Sequence, residues 1–312
     1  MKAAQISEFG DPSVIHINEV DKPRPGEGQV LVEVYAASLN PFDTTVRSGR
    51  LSDSLADKLP LTLGGDIAGT VSELGTGVTS FKVGDKVYGQ ANVVAGNSGA
   101  FAEYAATKAS QVALAPSNLD FKQAAAMPLV GVSALQALTE HIELKRGQSI
   151  LIIGGSGGIG SIAIQIAKDI GAKVITSTSG DGLQLVKQLG ADEVYDYKTQ
   201  DVSQLVSGVD AVFDTAGGQA FNAALGCLKH GGTAVSMIAQ ADEALVNQLG
   251  VKAITQQTKV NTEKLDRLRQ LIETEVVKPQ VSKVFKLGDV AQAFLQRESG
   301  QLTGKVVIEV KA

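Results

Sequence analysis

The chain of 312 residues contains one cysteine, no tryptophan and only three histidines. A single thiol, Cys227, cannot close an internal disulfide or build a cysteine-based zinc knuckle, and it suits a reducing compartment. Aromatic residues reach only 4%, too few for the stacking platforms that hold single-stranded nucleic acid. A basic excess is missing too. The 28 Lys and Arg against 33 Asp and Glu leave a net charge of −5, the wrong sign for a protein working mainly on phosphodiester backbones. No apolar run approaches the ~18 residues of a membrane span, and residues 1–10 are too polar for a signal peptide. These absences exclude nucleic-acid, membrane and disulfide-scaffold classes. A soluble, cytoplasmic protein is expected, and at roughly 150 residues per domain it should have two domains.

What is present divides the chain by its periodicity. From residue 2 to about residue 114 the pattern is short and β-like. Pro23-Arg24-Pro25-Gly26-Glu27-Gly28 is a loop, because its prolines block regular hydrogen bonding and its glycines allow tight turns. Gln29-Val30-Leu31-Val32-Glu33-Val34, Thr70-Val71-Ser72-Glu73-Leu74 and Lys86-Val87-Tyr88-Gly89 read as strands. Such short strands with close turn signals suggest a small β-barrel or sandwich. Near Asp120 the period lengthens, and stretches 121–127 and 132–144 read as helical. From residue 149 strands and helices alternate. Strands are expected at 149–155, 172–178, 193–197, 210–215, 233–238 and 252–256, which calls for a doubly wound parallel sheet. After a helix at 263–274 the β-like pattern returns at 281–287 and 305–310. The simplest architecture is a β-rich domain, 1–120 plus 278–312, interrupted by an α/β domain, 121–277.

The clearest chemistry lies in Gly155-Ser156-Gly157-Gly158-Ile159-Gly160, a G-x-G-x-x-G run between a buried strand and an amphipathic helix. Ile159, Ile162, Ala163, Ile166, Ala167 and Ile170 form that helix's single apolar stripe. In this setting Gly155 permits the tight turn, Gly157 lets a pyrophosphate approach the backbone, and Gly160 lets helix and strand pack closely. The helix N-terminus offers unpaired N–H groups and a positive dipole end to the phosphates. At the end of the second strand, Thr176-Ser177-Thr178-Ser179 carries hydroxyls and no acid before Asp181. A carboxylate there would bond an NAD ribose and repel a 2′-phosphate, so the expected cofactor is NADPH. Ser179 could equally cap the next helix. With no Arg in the loop, Lys187 and Lys198 are the available cations.

With these residues in place, the chain resembles the medium-chain dehydrogenase/reductase superfamily on its zinc-independent quinone oxidoreductase branch. The resemblance spans nearly the whole length. It rests on Lys22–Val32, on Asn40-Pro41-Phe42-Asp43 with Arg47 and Gly49, and on Gly64-Gly65-Asp66-Ile67-Ala68-Gly69. Phe81–Val87, Gly99–Tyr104, Leu189-Gly190-Ala191-Asp192, Asp196-Tyr197-Lys198 and Gly304-Lys305-Val306-Val307 extend it. It implies a GroES-like catalytic domain interrupted by a Rossmann domain, with the active site between them. Ser156, Gly157, Gly158 and Ile159 would then meet the pyrophosphate, Ser179 and Tyr197 the 2′-phosphate, and Lys305 would reach the cofactor from the C-terminal segment. Tyr197 could instead only pack, and Lys305 could be a solvated strand-end charge. Zinc-dependent relatives carry His-Glu where this chain has Gly65-Asp66, and a catalytic Cys near Asn40. His16, His141 and His230 lie on separate elements without ligand spacing, so no metal is expected.

Without a metal, an ordinary carbonyl loses its Lewis acid, whereas quinones and activated C=C bonds can still accept hydride. Asn40 is the candidate polar group near the nicotinamide, with a turn role before Pro41 as the alternative. Asp43 is expected to tie up local backbone or Arg47, and Tyr35 and Tyr88 to pack. Three readings remain: an NADPH-dependent quinone reductase, a reductase of enones or enals, and a low-turnover NADPH-binding protein. A homodimer joined edge to edge through the Rossmann sheet is implied by the resemblance. Its physical motive is the edge strand 252–256, Lys-Ala-Ile-Thr-Gln, followed by the polar, uncharged Gln257 and Thr258, unless the 261–274 helix covers that edge.

Overall fold

The computed structural model describes residues 1–300 and 302–311. Gln301 and Ala312, both inside the C-terminal stretch assigned above to the first domain, lie outside the described residues. The chain separates into two compact units. One comprises Met1–Leu129, Val260–Glu273 and Pro279–Ala312; the other comprises Val130–Lys259 and Thr274–Lys278.

Short strands build the start of the first unit: β1 (Lys2–Ile6), β2 (His16–Glu19), β3 (Gln29–Leu39), β4 (Leu61–Thr62), β5 (Asp66–Leu74), β6 (Lys86–Gln90), β7 (Tyr104–Lys108) and β8 (Val112–Leu114). The β-branched run that identified β3 is almost wholly buried, because β3 is paired by both β5 and β7. Val30, Val32, Val34, Ile67, Val71, Val87 and Phe101 share one apolar core.

The second unit is a parallel six-stranded sheet of β9 (Ser149–Ile153), β10 (Lys173–Thr178), β11 (Glu193–Asp196), β12 (Val209–Asp214), β13 (Leu228–Ser236) and β14 (Lys252–Thr255). Its order is β11-β10-β9-β12-β13-β14, so the strand order reverses between β9 and β12. In such sheets ligands bind beyond the C-terminal ends of the strands at that reversal. The helix Gly158–Ile170 buries Ile162, Ala163, Ile166 and Ala167 as its stripe requires, and stops at Gly171 in the left-handed conformation, φ 86°.

The chain then returns to the first unit with β15 (Val281–Lys286) and β16 (Lys305–Glu309). β16 pairs antiparallel with β3 and completes a seven-stranded sheet. The boundaries at 120 and 277 need correction. Helix Phe121–Ala125 belongs to the first unit, where the Phe121 ring stacks on Tyr35 at 4.6 Å. Helix Thr262–Glu273 belongs there as well: Thr262 Oγ1 donates to the Val112 carbonyl at 2.8 Å. Helical periodicity shows that a segment has an apolar face, but not which sheet that face covers.

Candidate functional site

In the second unit β9 runs into the glycine loop, and the left-handed turn falls one residue earlier than the motif suggested. Gly154 carries φ 79°, while Gly155 has an ordinary φ and is required for space. A Cβ on Gly155 would lie 2.0 Å from Thr176 Oγ1, a hydroxyl fixed by its own bond to the Ile152 carbonyl at 2.7 Å. Gly160 does what the motif predicts, since a Cβ there would stand 2.3 Å from the Gly154 carbonyl oxygen. Gly157 is the N-cap of the helix, and the only atom near its Cβ position is the Gly154 oxygen at 3.3 Å. The backbone at Gly157 is therefore open, and the first N–H groups of the helix that follows precede any intrahelical bond. That arrangement fits a pyrophosphate.

The residues expected at the cofactor's ribose gather beside this loop. Ser156 Oγ and Thr178 Oγ1 share a hydrogen bond of 2.5 Å. Thr178 is buried, so its hydroxyl supports the loop from beneath. Tyr197 donates its N–H to the Thr178 carbonyl at 3.2 Å, which places Ser179 and Tyr197 just past neighbouring strand ends. The Tyr197 side chain is 58% exposed, so the packing alternative fails. Lys187 and Lys198 are both exposed. A support that sequence reasoning missed lies at the same end of the sheet. Buried Asp214 accepts from the N–H groups of Ala216 at 3.0 Å and Gly217 at 2.9 Å and from Ser236 Oγ at 2.6 Å. Ser236 Oγ in turn accepts from the Ala239 N–H at 2.9 Å. The loops after β12 and β13 are thus fixed by one carboxylate.

The first unit holds a buried polar cluster where β3 ends. Asn40 caps the helix Pro41–Arg47, donating its N–H to the Asp43 carboxylate at 2.7 Å while Asp43 N–H donates to the Asn40 carbonyl at 3.0 Å. Asn40 Nδ2 donates to Asp66 at 2.8 Å, and Lys305 Nζ donates to Asn40 Oδ1 at 2.5 Å and to the Leu39 carbonyl at 2.9 Å. The Asn40 amide is therefore held in one orientation, its oxygen on a cation and its nitrogen on an anion. Asp66, with no exposed surface, also accepts from Gln90 at 3.1 Å, the Leu129 N–H at 3.2 Å and Ser38 at 3.3 Å. The Lys305 ammonium lies 3.9 Å from it. Asp66 and Gln90 were not anticipated as site residues, although Asp66 stands inside the glycine-rich motif 64–69.

Burial dominates the titration of all three charged groups. It raises the Asp43 carboxyl to about 7, with the charge of Asp66 adding and the Asn40 N–H and Lys305 opposing. It lowers the Lys305 ammonium to about 8, against the pull of Asp66 and Asp43. Asp66 is also pushed upward by burial and restrained by Lys305. Four donors converge on Asp66, while a single one meets Asp43. Clusters of this kind mark functional sites.

Several expectations change here. Lys305 is no solvated strand-end charge; it is buried, with its ammonium bonded to Leu39 and Asn40. Asp43 does tie up local backbone, whereas Arg47 pairs with Glu298 at 2.7 Å. Tyr88 is buried and its hydroxyl donates to the Leu265 carbonyl at 2.6 Å. Nor does the cluster fit a zinc ion. Gly65 has no side chain, Asn40 offers an amide already bonded to an ammonium, and Asp66 faces that same ammonium. Among the described residues no group of three or more His, Cys, Asp or Glu could hold a metal ion.

Two family models match parts of the chain. Residues 26–117 match the alcohol dehydrogenase GroES-like domain, and residues 189–308 match the zinc-binding dehydrogenase family. The chain is 36% identical to 2-methylene-furan-3-one reductase of Solanum lycopersicum, over 99% of this chain and 79% of that protein. The quinone oxidoreductase of Coxiella burnetii superposes with a TM-score of 0.93 at 34% identity, covering 100% of this chain and 99% of that one. The quinone oxidoreductase of Escherichia coli, solved in complex with NADPH, superposes with a TM-score of 0.90 at 28% identity, covering 99% and 100%.

Proposed function

The chain belongs to the medium-chain dehydrogenase/reductase superfamily, on its quinone oxidoreductase-like branch, and from this membership we propose that it is an NADPH-dependent oxidoreductase that passes hydride to a quinone. The observation that carries this is the open turn over Gly157 at the sheet's ligand-binding end, in a chain whose relatives include a quinone oxidoreductase solved with NADPH. NADPH supplies the hydride when bound. In our reading Gly155, Ser156, Gly157, Gly158 and Ile159 cradle its pyrophosphate, Thr178 supports the cradle, and Ser179 and Tyr197 take the 2′-phosphate. Asn40, locked by Asp66 and Lys305, presents its remaining amide N–H as a fixed polar contact. Lys305 acts through Asn40, because its ammonium is already bonded within the first unit.

The reaction is read as zinc-independent, since the buried cation among Leu39, Asn40 and Asp66 is an ammonium of the chain itself. NADPH oxidation followed at its absorbance band against a panel of quinones and enones tests the assignment. Turnover with quinones that survives a chelator, in protein free of stoichiometric zinc, is expected. One zinc per chain, or loss of activity with the chelator, would refute the zinc-free reading. A preference for enones would favour the second reading, a reductase of activated C=C bonds, which the likeness to the tomato furanone reductase supports.

We also read the enzyme as a cytoplasmic homodimer. Cys227, the sole cysteine, is free and buried, and no described helix is long and apolar enough to cross a membrane. β14 is the edge strand of the parallel sheet, and its KAIT sequence leaves backbone groups open to a second copy. Light scattering at micromolar concentration should give twice the 32.4 kDa chain mass; a value equal to the chain mass would exclude the dimer.

A further inference from the structure

Reduction of the acceptor consumes a proton as well as a hydride, and the reading above does not say which group supplies it. The first unit offers few candidates. Tyr35 is stacked on Phe121, and the Tyr88 hydroxyl is bonded to the Leu265 carbonyl, with burial pushing its ionisation upward. Asp43 differs in geometry. One carboxyl oxygen, Oδ2, is anchored by the Asn40 N–H at 2.7 Å. Among the described residues no donor meets the other, Oδ1. Oδ1 faces Gly65, and it would lie 3.7 Å from a Cβ built there. With no side chain at residue 65, only Asn92 Cβ, at 3.6 Å, and Asp43 Oδ1 lie within 4 Å of the place a Cβ would take, apart from residue 65 and its chain neighbours.

We propose that Asp43 is the acid that completes the reduction, delivering its proton from Oδ1 on its Gly65 side. The proposal rests on the reductase reading given above. The hydride brings two electrons and one hydrogen to the acceptor and leaves an oxyanion or its enolate equivalent. The O–H bond of Asp43 then breaks, the proton joins the reduced acceptor, and the electron pair stays on Asp43 as carboxylate. Solvent water restores the proton.

Charged groups around Asp43 favour this role. Asp66 on β5 opposes its ionisation, and Lys305 on β16 favours it. Arg47, on the same helix, is held away by Glu298 and the Gly10 carbonyl. Burial outweighs the Asn40 N–H and the Lys305 charge, and a carboxyl raised to about 7 is protonated in much of the population at neutral pH, which suits a general acid. The protonated form is the active one, so turnover should fall as pH rises through about 7.

Three measurements test it together. In the parent, kcat should decline above about pH 7 with a one-proton slope. Asp43→Asn, whose amide oxygen can still accept the Asn40 N–H, should lower kcat about tenfold or more and lose that pH dependence, with NADPH affinity by fluorescence titration unchanged. Gly65→Ala, whose methyl fits but covers Oδ1, should lower kcat while keeping the midpoint. Independently of turnover, 13C NMR of Asp-labelled protein should show a carboxyl titrating near 7 that disappears in Asp43→Asn. An Asp43 resonance that titrates in the ordinary carboxylate range overturns the proposal, as does an Asp43→Asn enzyme with the parental pH profile. NADPH binding without turnover of any acceptor overturns the reductase reading instead, whatever the NMR shows.

Discussion

Replacing Lys305 by methionine is expected to destabilise the first unit by about 3–5 kcal/mol, the usual cost of leaving a buried charge without its partner. Asp66 has no exposed surface, and among the described residues the lost ammonium is the only cation paired with it, at 3.9 Å. Methionine keeps the length and apolar stem of lysine, so packing changes little. The deficit should depend on pH in a defined direction. Without Lys305, burial raises the folded-state pKa of Asp66 further, so stability is fully present below the unfolded value and lost as pH rises through the folded one. The double variant Asp66→Asn, Lys305→Met should recover most of the loss, because both charges leave together. Urea unfolding of the four proteins gives the coupling energy. Additive effects, or a Lys305→Met protein as stable as the parent, would remove the pair from its central place.

The second large effect concerns cofactor choice. Ser179→Asp should weaken NADPH binding at least tenfold, about 1.4 kcal/mol, while NADH binding is retained or improved. Ser179 follows Thr178, the last residue of β10, and Tyr197 follows Asp196, the last residue of β11. Thr178 and Asp196 are register partners, so a carboxylate at residue 179 would stand beside Tyr197, where we propose that the 2′-phosphate binds. Comparative titration of both cofactors against parent and variant decides the matter. Equal or tighter NADH binding by the parent would overturn the assignment.

The glycine motif shows how far local reading reaches. A turn, a close approach and a helix start leave marks at neighbouring positions, so the loop and its helix were legible almost residue by residue. Even there the positive φ sits on Gly154 and not Gly155, because the need for glycine at 155 comes from Thr176, a neighbour distant in sequence. Asn40 was legible as a polar residue in a conspicuous motif, whereas its partners were not. Asp66 and Lys305 lie 26 and 265 residues from it, and no periodicity links positions so far apart.

The sequence by itself determined the alternation of strands and helices, the apolar stripe of the helix after the glycine loop, the dinucleotide-type loop, and the lack of an acid at the end of β10. These properties are local, set by backbone sterics and by apolar periods of two or 3.6 residues. Only the tertiary structure decided that Phe121–Ala125 and Thr262–Glu273 belong to the first unit, and that Lys305 reaches Asn40 from the far end of the chain. It also decided that Asp43, Asp66 and Lys305 share one buried cluster, in which burial raises both carboxyls and lowers the ammonium. Each of these depends on which groups share one water-free volume, where removal from solvent outweighs the intrinsic preference of any single side chain.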